Sequence, residues 1–164
     1  VENYLYRLHR GVLSTHSQVF ADMFRLPQSP TAPVQLEGRD NDHPIRLDGV
    51  VSSAFDNLLR FLYPANSLPY RVWTPPPYST ELLVDVLSQS ALWGMAAPRQ
   101  FALHFLEGAS CPPVLRIHLA VRYGVPAWIS PAFRALIYGP VDPLKSRDLD
   151  MMTTTVSVLY FKVR

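Results

Sequence analysis

The sequence of 164 residues has a single cysteine, only seven glycines, and charged residues at 17% of its positions. Because a disulfide needs two thiols, Cys111 excludes an internal disulfide and favours a reducing compartment. The glycines form no phosphate-cradling loop, so we expect no nucleotide site of that kind. The net charge of +2 comes without a basic run, which argues against a nucleic-acid partner.

Long apolar runs are absent too. The longest, such as residues 156–161, fall far short of the roughly twenty residues that cross a bilayer. The first residues show no basic segment followed by an apolar one, so no signal peptide is expected. Together with the lone cysteine, these features predict an intracellular protein of the cytoplasm or nucleus. The hydrophobic fraction of 48% is that of a globular domain with its own core.

Proline is abundant, with 16 residues in the chain. Many of them concentrate in two stretches, 28–44 and 64–77, which are typical of internal loops between structured segments. The tail from 150 to 164 is ambiguous, because its β-branched residues favour a strand while its position after several helices favours a helix.

Two short segments alternate in the manner of β-strands. Tyr4, Tyr6 and Leu8 alternate with residues of another face, and residues 45–47 do the same before the turn at 48–49. These patterns predict a small sheet.

Apolar residues at helical spacing predict the remaining elements. Ser17 and Ser79 are predicted N-caps, and Ser53 with Asp56 three residues later has the spacing of a capping box. Gly124 is predicted to end a later helix. The predicted helical segments are 19–24, 55–62, 79–94, 98–106, 114–123 and 128–137.

The residue types that carry chemistry form no recognisable set. His9 and His16 share one early segment without an acidic residue at ligand spacing from both, so structural roles are favoured. Cys111 lacks a neighbour expected to lower its pKa, which argues against a catalytic thiolate. We therefore expect no catalytic, metal-binding or cofactor-binding residues, no cofactor, and no enzyme activity. A small hydrolase remains an alternative that needs a nucleophile and a base in one pocket.

The stretch LHRGVLSTHSQVFADMF at 8–24 resembles the opening signature of BTB/POZ domains. In that family a strand leads into a short helix begun by His-Arg, and a Ser-x-x-Phe-x-x-Met-Phe helix follows. Residues 44–50 are similar to the family's next strand and turn, and 54–63 to the helix that ends in Phe-x-Tyr. The helices around 82–93 and 99–106 fit the last two of the domain.

The resemblance implies an α+β fold, a BTB/POZ-like helical cluster with a small sheet, extended by additional C-terminal helices. It divides the chain into a BTB/POZ-like domain at 1–107, with a truncated N-terminal strand, and a helical extension at 112–164. The element YGVPAW at 123–128 is most similar to one found in BTB-domain proteins of mushroom-forming (basidiomycete) fungi.

The family implies a protein–protein interaction module that acts by homodimerisation or partner docking. His9 and Arg10 would face a groove between subunits. Asn57, Arg60 and Tyr63 lie where some members bind a cullin scaffold, so a substrate adaptor for a cullin-based ubiquitin ligase is an alternative. For these three, the competing interpretation is a solvated helix face with a partly buried tyrosine.

The expected partners are proteins: the chain itself, and a cullin scaffold or another protein, but neither nucleic acid nor membrane. A family copy that has lost its partner is a further interpretation. The sequence names neither the partner, the pathway nor the oligomeric state.

Overall fold

A computed structural model describes residues 1–26, 37–63 and 78–139. The tail at 150–164, the loop at 64–77 and most of the loop at 28–44 lie outside these described residues. The described chain is mostly helical. Its elements are α1 (Arg10–His16), α2 (Gln18–Arg25), α3 (Ser52–Leu62), α4 (Thr80–Leu92), α5 (Ala96–Gly108), α6 (Pro113–Tyr123), a 3-10 helix (Pro126–Trp128) and α7 (Ile129–Tyr138).

The helical cluster is confirmed, whereas the small sheet is not. No strand occurs in the ranges that the structure describes, because residues 4–8 and 45–47 have no hydrogen-bonded ladder between them. Residues 5–8 and 45–47 do keep alternating exposure. The helical part of the predicted α+β fold is therefore observed, and its sheet stays a prediction.

The chain separates into two compact units, Val1–Gly108 and Ala109–Arg164. A compact unit is not in itself a family domain, so the division into domains at 1–107 and 112–164 stays a prediction.

The first unit has an apolar core cluster supplied mainly by α1, α2 and α3, and α3 packs on α4, and α4 on α5. Burying such side chains contributes about 1.5–3 kcal/mol each before the cost of ordering them. Large aromatic and aliphatic residues from α1, α2 and α3 therefore hold the unit together. The buried members of this core are Leu13, Phe20, Val50, Phe55, Leu58, Leu62 and Met95.

Ser17 begins α2 and also ties it to the end of α4. Its hydroxyl accepts a hydrogen bond from the N–H of Phe20 at 3.1 Å, which confirms the predicted N-cap. The same hydroxyl donates to the carbonyl of Trp93 at 2.5 Å, and the Trp93 ring stacks on Phe20 with centroids 4.5 Å apart. Ser17 is 1% exposed, so both bonds are shielded from water.

The N-terminus of α3 is capped from a distance. The predicted capping box of Ser53 and Asp56 is wrong, because the N-cap of α3 is the apolar Val51, two residues before Ser53. Instead, the carboxylate of Glu2 accepts a hydrogen bond from the N–H of Ser52 at 3.2 Å. Such a carboxylate satisfies a free helix donor and complements the helix dipole. Its hydrogen bonds to Ser52 hold the pKa of Glu2 below the ordinary value.

The second unit forms the predicted helical pair. α6 ends at Gly124, whose φ of 68° lies in the left-handed region that glycine adopts without strain. The 3-10 helix then leads into α7, and the guanidinium of Arg116 lies 5.7 Å from the ring centroid of Trp128. The buried core of this unit consists of Val114, Ile117, Ala132 and Leu136.

Candidate protein-interaction surface

The segment before α1 is laid along the core of the first unit. Tyr6 and Leu8 are half-buried and pack against that core, whereas Leu5 and Arg7, which precede them, are exposed. Tyr4, predicted on the same face as Tyr6 and Leu8, is exposed as well. This alternation is that of a strand with one buried face. The segment therefore presents one row of side chains to the core and another to solvent.

Tyr6 fastens the middle of this segment to α3. Its hydroxyl donates a hydrogen bond to Asp56 Oδ1 at 2.9 Å, and its ring meets Phe55 edge-on at 5.2 Å. Burial, and next the hydrogen bond to Asp56 and its negative charge, raise the pKa of Tyr6 to about 12. The phenol therefore remains a protonated donor at neutral pH.

The end of the segment is fastened to the end of α3. The N–H of His9 donates to the hydroxyl of Tyr63 at 2.9 Å, and the two rings lie 5.9 Å apart. The bonds of Glu2, Tyr6 and His9 thus follow one another along α3, so the segment and the helix run in the same direction. Two of the five predicted interaction residues, His9 and Tyr63, are in direct contact.

Arg10 connects α1 to the stretch before the second extended segment. Its guanidinium lies 5.2 Å from the ring centroid of Phe24 and donates to the carbonyls of Glu37 and Gly38, each at 3.3 Å. A cation over an aromatic face contributes about 0.5–1 kcal/mol at an exposed site. Gly38 has a φ of 73°, and a Cβ there would meet the side chain of Ile45 at 2.8 Å, so the position requires glycine.

Asn57 and Arg60 are placed differently from the other predicted residues. Asn57 Nδ2 donates to Asp85 Oδ2 at 2.8 Å, which joins α3 to α4. Arg60 is exposed on α3. The structure thus gathers His9, Arg10 and Tyr63 around the start of α1, uses Asn57 between helices, and leaves Arg60 toward solvent.

Three exposed apolar residues lie on the N-terminal segment or next to the residue that it caps. Tyr4 is 65% exposed, Leu5 53% and Val51 54%. Val51 precedes the residue that Glu2 caps, so it lies beside the N-terminal segment. We call Tyr4, Leu5 and Val51 the apolar patch. A group of exposed apolar residues marks an interaction site more often than scattered ones do.

A cavity of about 1230 Å³ opens next to this segment. Residues 1–10, 38–42 and 44–50 line it, together with buried apolar residues such as Leu13, Phe20 and Phe55. His9 is a lining residue, but the described residues of the lining include neither serine nor cysteine. Among these described residues, the serine or cysteine nucleophile of a small hydrolase is therefore not beside a histidine base.

Other chemically active groups have ordinary structural surroundings. Burial raises the pKa of the Cys111 thiol. The expectation that no neighbour lowers this pKa is wrong, since the charge of Arg116 does so, but burial outweighs it. The Nδ1 atom of His43 lies 2.8 Å from Asp40 Oδ1, and this hydrogen bond holds the pKa of Asp40 below its ordinary value.

Within the described ranges, no group of three or more histidine, cysteine, aspartate or glutamate side chains could hold a metal ion. No helix among those same residues has the length and apolar character to span a membrane.

The sequence interpretation missed the residues that hold the N-terminal segment in place: Glu2, Tyr6 and Asp56. The alternating pattern of Tyr6 was visible in the sequence. Its partner was not, because Asp56 is 50 residues away.

The sequence profile of the BTB/POZ domain family matches residues 1–99, more than half of the chain. Neither the curated proteins nor the solved structures include a significant match to this sequence.

Proposed function

The chain belongs to the BTB/POZ domain family, and on that premise we propose that its first unit self-associates through the surface around the start of α1. Domains of this family generally mediate protein–protein interaction and dimerisation, and the family is not one of enzymes. The surface that we propose for self-association consists of His9 and Arg10 together with the apolar patch of Tyr4, Leu5 and Val51.

One observation carries this proposal. Tyr4 and Leu5 are mainly exposed on a segment that Glu2, Tyr6 and His9 hold in a defined position. An interface gains little from side chains that must first be ordered. Here the apolar side chains are presented by a segment that is already anchored, so burying them against a second copy costs less entropy.

The test is the solution mass of the chain, measured by light scattering after size exclusion across a concentration series. We expect about twice the 18.6 kDa of one chain. Replacing both Tyr4 and Leu5 by glutamate should give a monomer. Val121→Glu is the matched control, because Val121 is also 53% exposed but lies on α6.

Two outcomes would contradict the proposal. A wild-type chain that stays monomeric at every concentration would rule out self-association. A Tyr4→Glu, Leu5→Glu variant that still dimerises as the Val121→Glu control does would place the interface elsewhere.

A second candidate function is an adaptor that docks on a cullin scaffold. It is favoured by the exposed charge of Arg60 on α3, two turns from the start of the helix. Asn57 supports it less, because its amide is already bonded to Asp85. Arg60→Ala should weaken binding to an isolated cullin N-terminal region, while Arg134→Ala, an exposed arginine on α7, should not. Equal binding by both variants would argue against this role for Arg60.

The narrower kinship with proteins of mushroom-forming fungi is part of the proposal as well. It is supported by the element at 123–128, in which Gly124 ends α6 and Trp128 is buried in the second unit. The N-terminal and C-terminal domains at 1–107 and 112–164 are proposed on the same resemblance.

A further inference from the structure

Charge is distributed unequally between the two units. Val1–Gly108 contains ten aspartates and glutamates and eight arginines, which leaves two excess negative charges. Ala109–Arg164 contains three aspartates, no glutamate, and seven arginines and lysines, which leaves four excess positive charges. The second count includes every residue of the unit, so ion pairs within the unit cannot neutralise the excess. Even the excess acids of the first unit would leave two positive charges.

The helices of the second unit carry no carboxylate side chain. The sequence has neither aspartate nor glutamate from 109 to 141, a stretch that includes α6, the 3-10 helix and α7. Arginines on these helices therefore cannot form the ion pairs between residues three or four apart that stabilise exposed helix faces. A carboxylate that pairs with them must come from outside these helices.

The three arginines of these helices have different surroundings. Arg116 donates to a main-chain carbonyl of its own unit at 2.8 Å and lies over the ring of Trp128. Arg122 lies in the last turn of α6, where a cation complements the helix dipole, and its guanidinium is 5.8 Å from the ring centroid of Tyr123. Arg134 is exposed in the middle of α7 and has no ion pair with any described residue. Its charge thus has no local role of the kind that Arg116 and Arg122 have.

Arg134 lies on the exposed face of α7 together with Tyr138. Residues four apart on a helix are neighbours, and Tyr138 is 83% exposed. The other residues of this face, Ser130, Pro131 and Ala135, are compact and also exposed. Arginine and tyrosine are enriched among the residues that dominate the binding energy of protein interfaces. One turn of α7 therefore presents a guanidinium and an aromatic ring without bulky neighbours.

The number of exposed cations favours the carboxylates of a protein over the phosphates of a nucleic acid or a membrane. The planar guanidinium of arginine binds one carboxylate through two parallel hydrogen bonds, so a single arginine can recognise a carboxylate. Strongly salt-dependent DNA binding involves about 6–10 phosphate contacts, and lipid-binding clusters contain about 4–8 lysines or arginines. The described residues of the second unit expose two arginines, Arg122 and Arg134.

We propose that the exposed face of α7 docks an acidic segment of a partner protein, with Arg134 bound to a carboxylate and Tyr138 packed against aliphatic side chains of the segment. The acidic character of the partner follows from charge complementarity with the second unit as a whole. The docking face shares no residue with the surface that we propose for self-association, so the two proposals can fail independently.

The test uses a fluorescein-labelled peptide of repeated glutamate, leucine and serine, and a counterpart with glutamine in place of glutamate. Fluorescence polarisation measures their binding to the full chain. We expect the glutamate peptide to bind more tightly than its counterpart, and to bind more weakly as salt is raised, because salt screens exposed charges.

Arg134→Glu should weaken binding of the glutamate peptide at least about threefold, because it replaces an exposed attraction by a repulsion. Arg60→Glu is the matched control, since it changes the net charge equally but lies exposed on α3. Tyr138→Ala should also weaken binding, without a change of charge. If circular dichroism shows that Arg134→Glu loses helix, Arg134→Gln takes its place, with a smaller expected loss.

Four results would overturn the proposal. Equal binding of the glutamate and glutamine peptides would show that charge is not recognised. Equal binding by the Arg134→Glu and Arg60→Glu variants would show that α7 is not the site. Tighter binding of a single-stranded DNA of the same charge would assign the face to nucleic acid. A lower solution mass of Arg134→Glu than of wild type in light scattering would assign the face to a second copy.

Discussion

Replacing Ser17 by alanine should destabilise the first unit strongly, because its hydroxyl makes two shielded bonds. Loss of an N-cap costs about 1 kcal/mol, within a range of roughly 0.5–2. The carbonyl of Trp93, left without the hydroxyl that donates to it, adds about 1–3 kcal/mol. We therefore expect the free energy of unfolding to fall by about 2–4 kcal/mol.

Urea unfolding followed by circular dichroism measures this change. With a slope near 2 kcal/mol per molar urea, the midpoint should fall by about 1–2 M. Ser53→Ala is the matched control, since Ser53 is exposed on α3 and does not act as its N-cap. That variant should stay within about 0.5 kcal/mol of wild type.

Ser17→Gly separates the two bonds. Glycine is nearly as good an N-cap as serine, with a loss of only a few tenths of a kcal/mol, but it cannot donate to Trp93. Its cost should therefore be about 1–3 kcal/mol, below that of Ser17→Ala. A Ser17→Ala variant within 0.5 kcal/mol of wild type would refute the reasoning, and a Ser17→Gly variant as stable as wild type would refute the part assigned to Trp93.

Three further substitutions test the described contacts. Gly124→Ala should lower the free energy of unfolding in urea by about 1–2 kcal/mol through left-handed backbone strain alone, because nothing lies within 4 Å of the added Cβ. The control Gly108→Ala, in a helix with equal space, should leave it unchanged, and equal losses in the two variants would contradict the strain. Wild type should be more stable than Tyr6→Phe below the ordinary tyrosine pKa of about 10, and should lose this advantage as pH rises through about 12, because the hydroxyl must stay protonated to donate to Asp56. Urea midpoints of both proteins at pH 8 and 11 measure the advantage, and a difference that does not change with pH would contradict the reasoning. Wild type should be more stable than Glu2→Gln above the ordinary carboxyl pKa, and should lose this advantage as pH falls through the lowered pKa of folded Glu2. Urea midpoints at neutral and acid pH measure the advantage, and midpoints that fall in parallel for both proteins would argue against the cap.

Features that depend on near neighbours could be predicted from the sequence. Ser17, Ser79 and Gly124 cap their helices by contacts within one turn, so residue type and spacing were sufficient. The spacing of Ser53 and Asp56 was equally good but failed. The carboxylate of Asp56 accepts the phenol of Tyr6 instead, a contact 50 residues away that no local pattern specifies.

Contacts between residues distant in sequence also limited what could be predicted of the sheet and of the candidate site. Alternation predicted the partly buried side chains of 5–8 and 45–47, although Tyr4 is exposed, but a ladder also needs a pairing partner, which alternation does not identify. For the site, the resemblance indicated His9 and Tyr63 but not their mutual contact. It also did not foresee that Asn57 would bond to Asp85, because the register between α3 and α4 is set by packing of the whole core.

The parallel course of the N-terminal segment and α3 has a consequence for the order of folding. Three bonds, from Glu2, Tyr6 and His9, join partners 50 to 54 residues apart. They close nearly the same loop, so the entropy of loop closure is lost when the first bond forms, and the later bonds form with little further loss. During synthesis, however, the segment leaves the ribosome well before α3 exists. The residues of this segment must therefore wait for a helix translated later, and they dock along it as a unit.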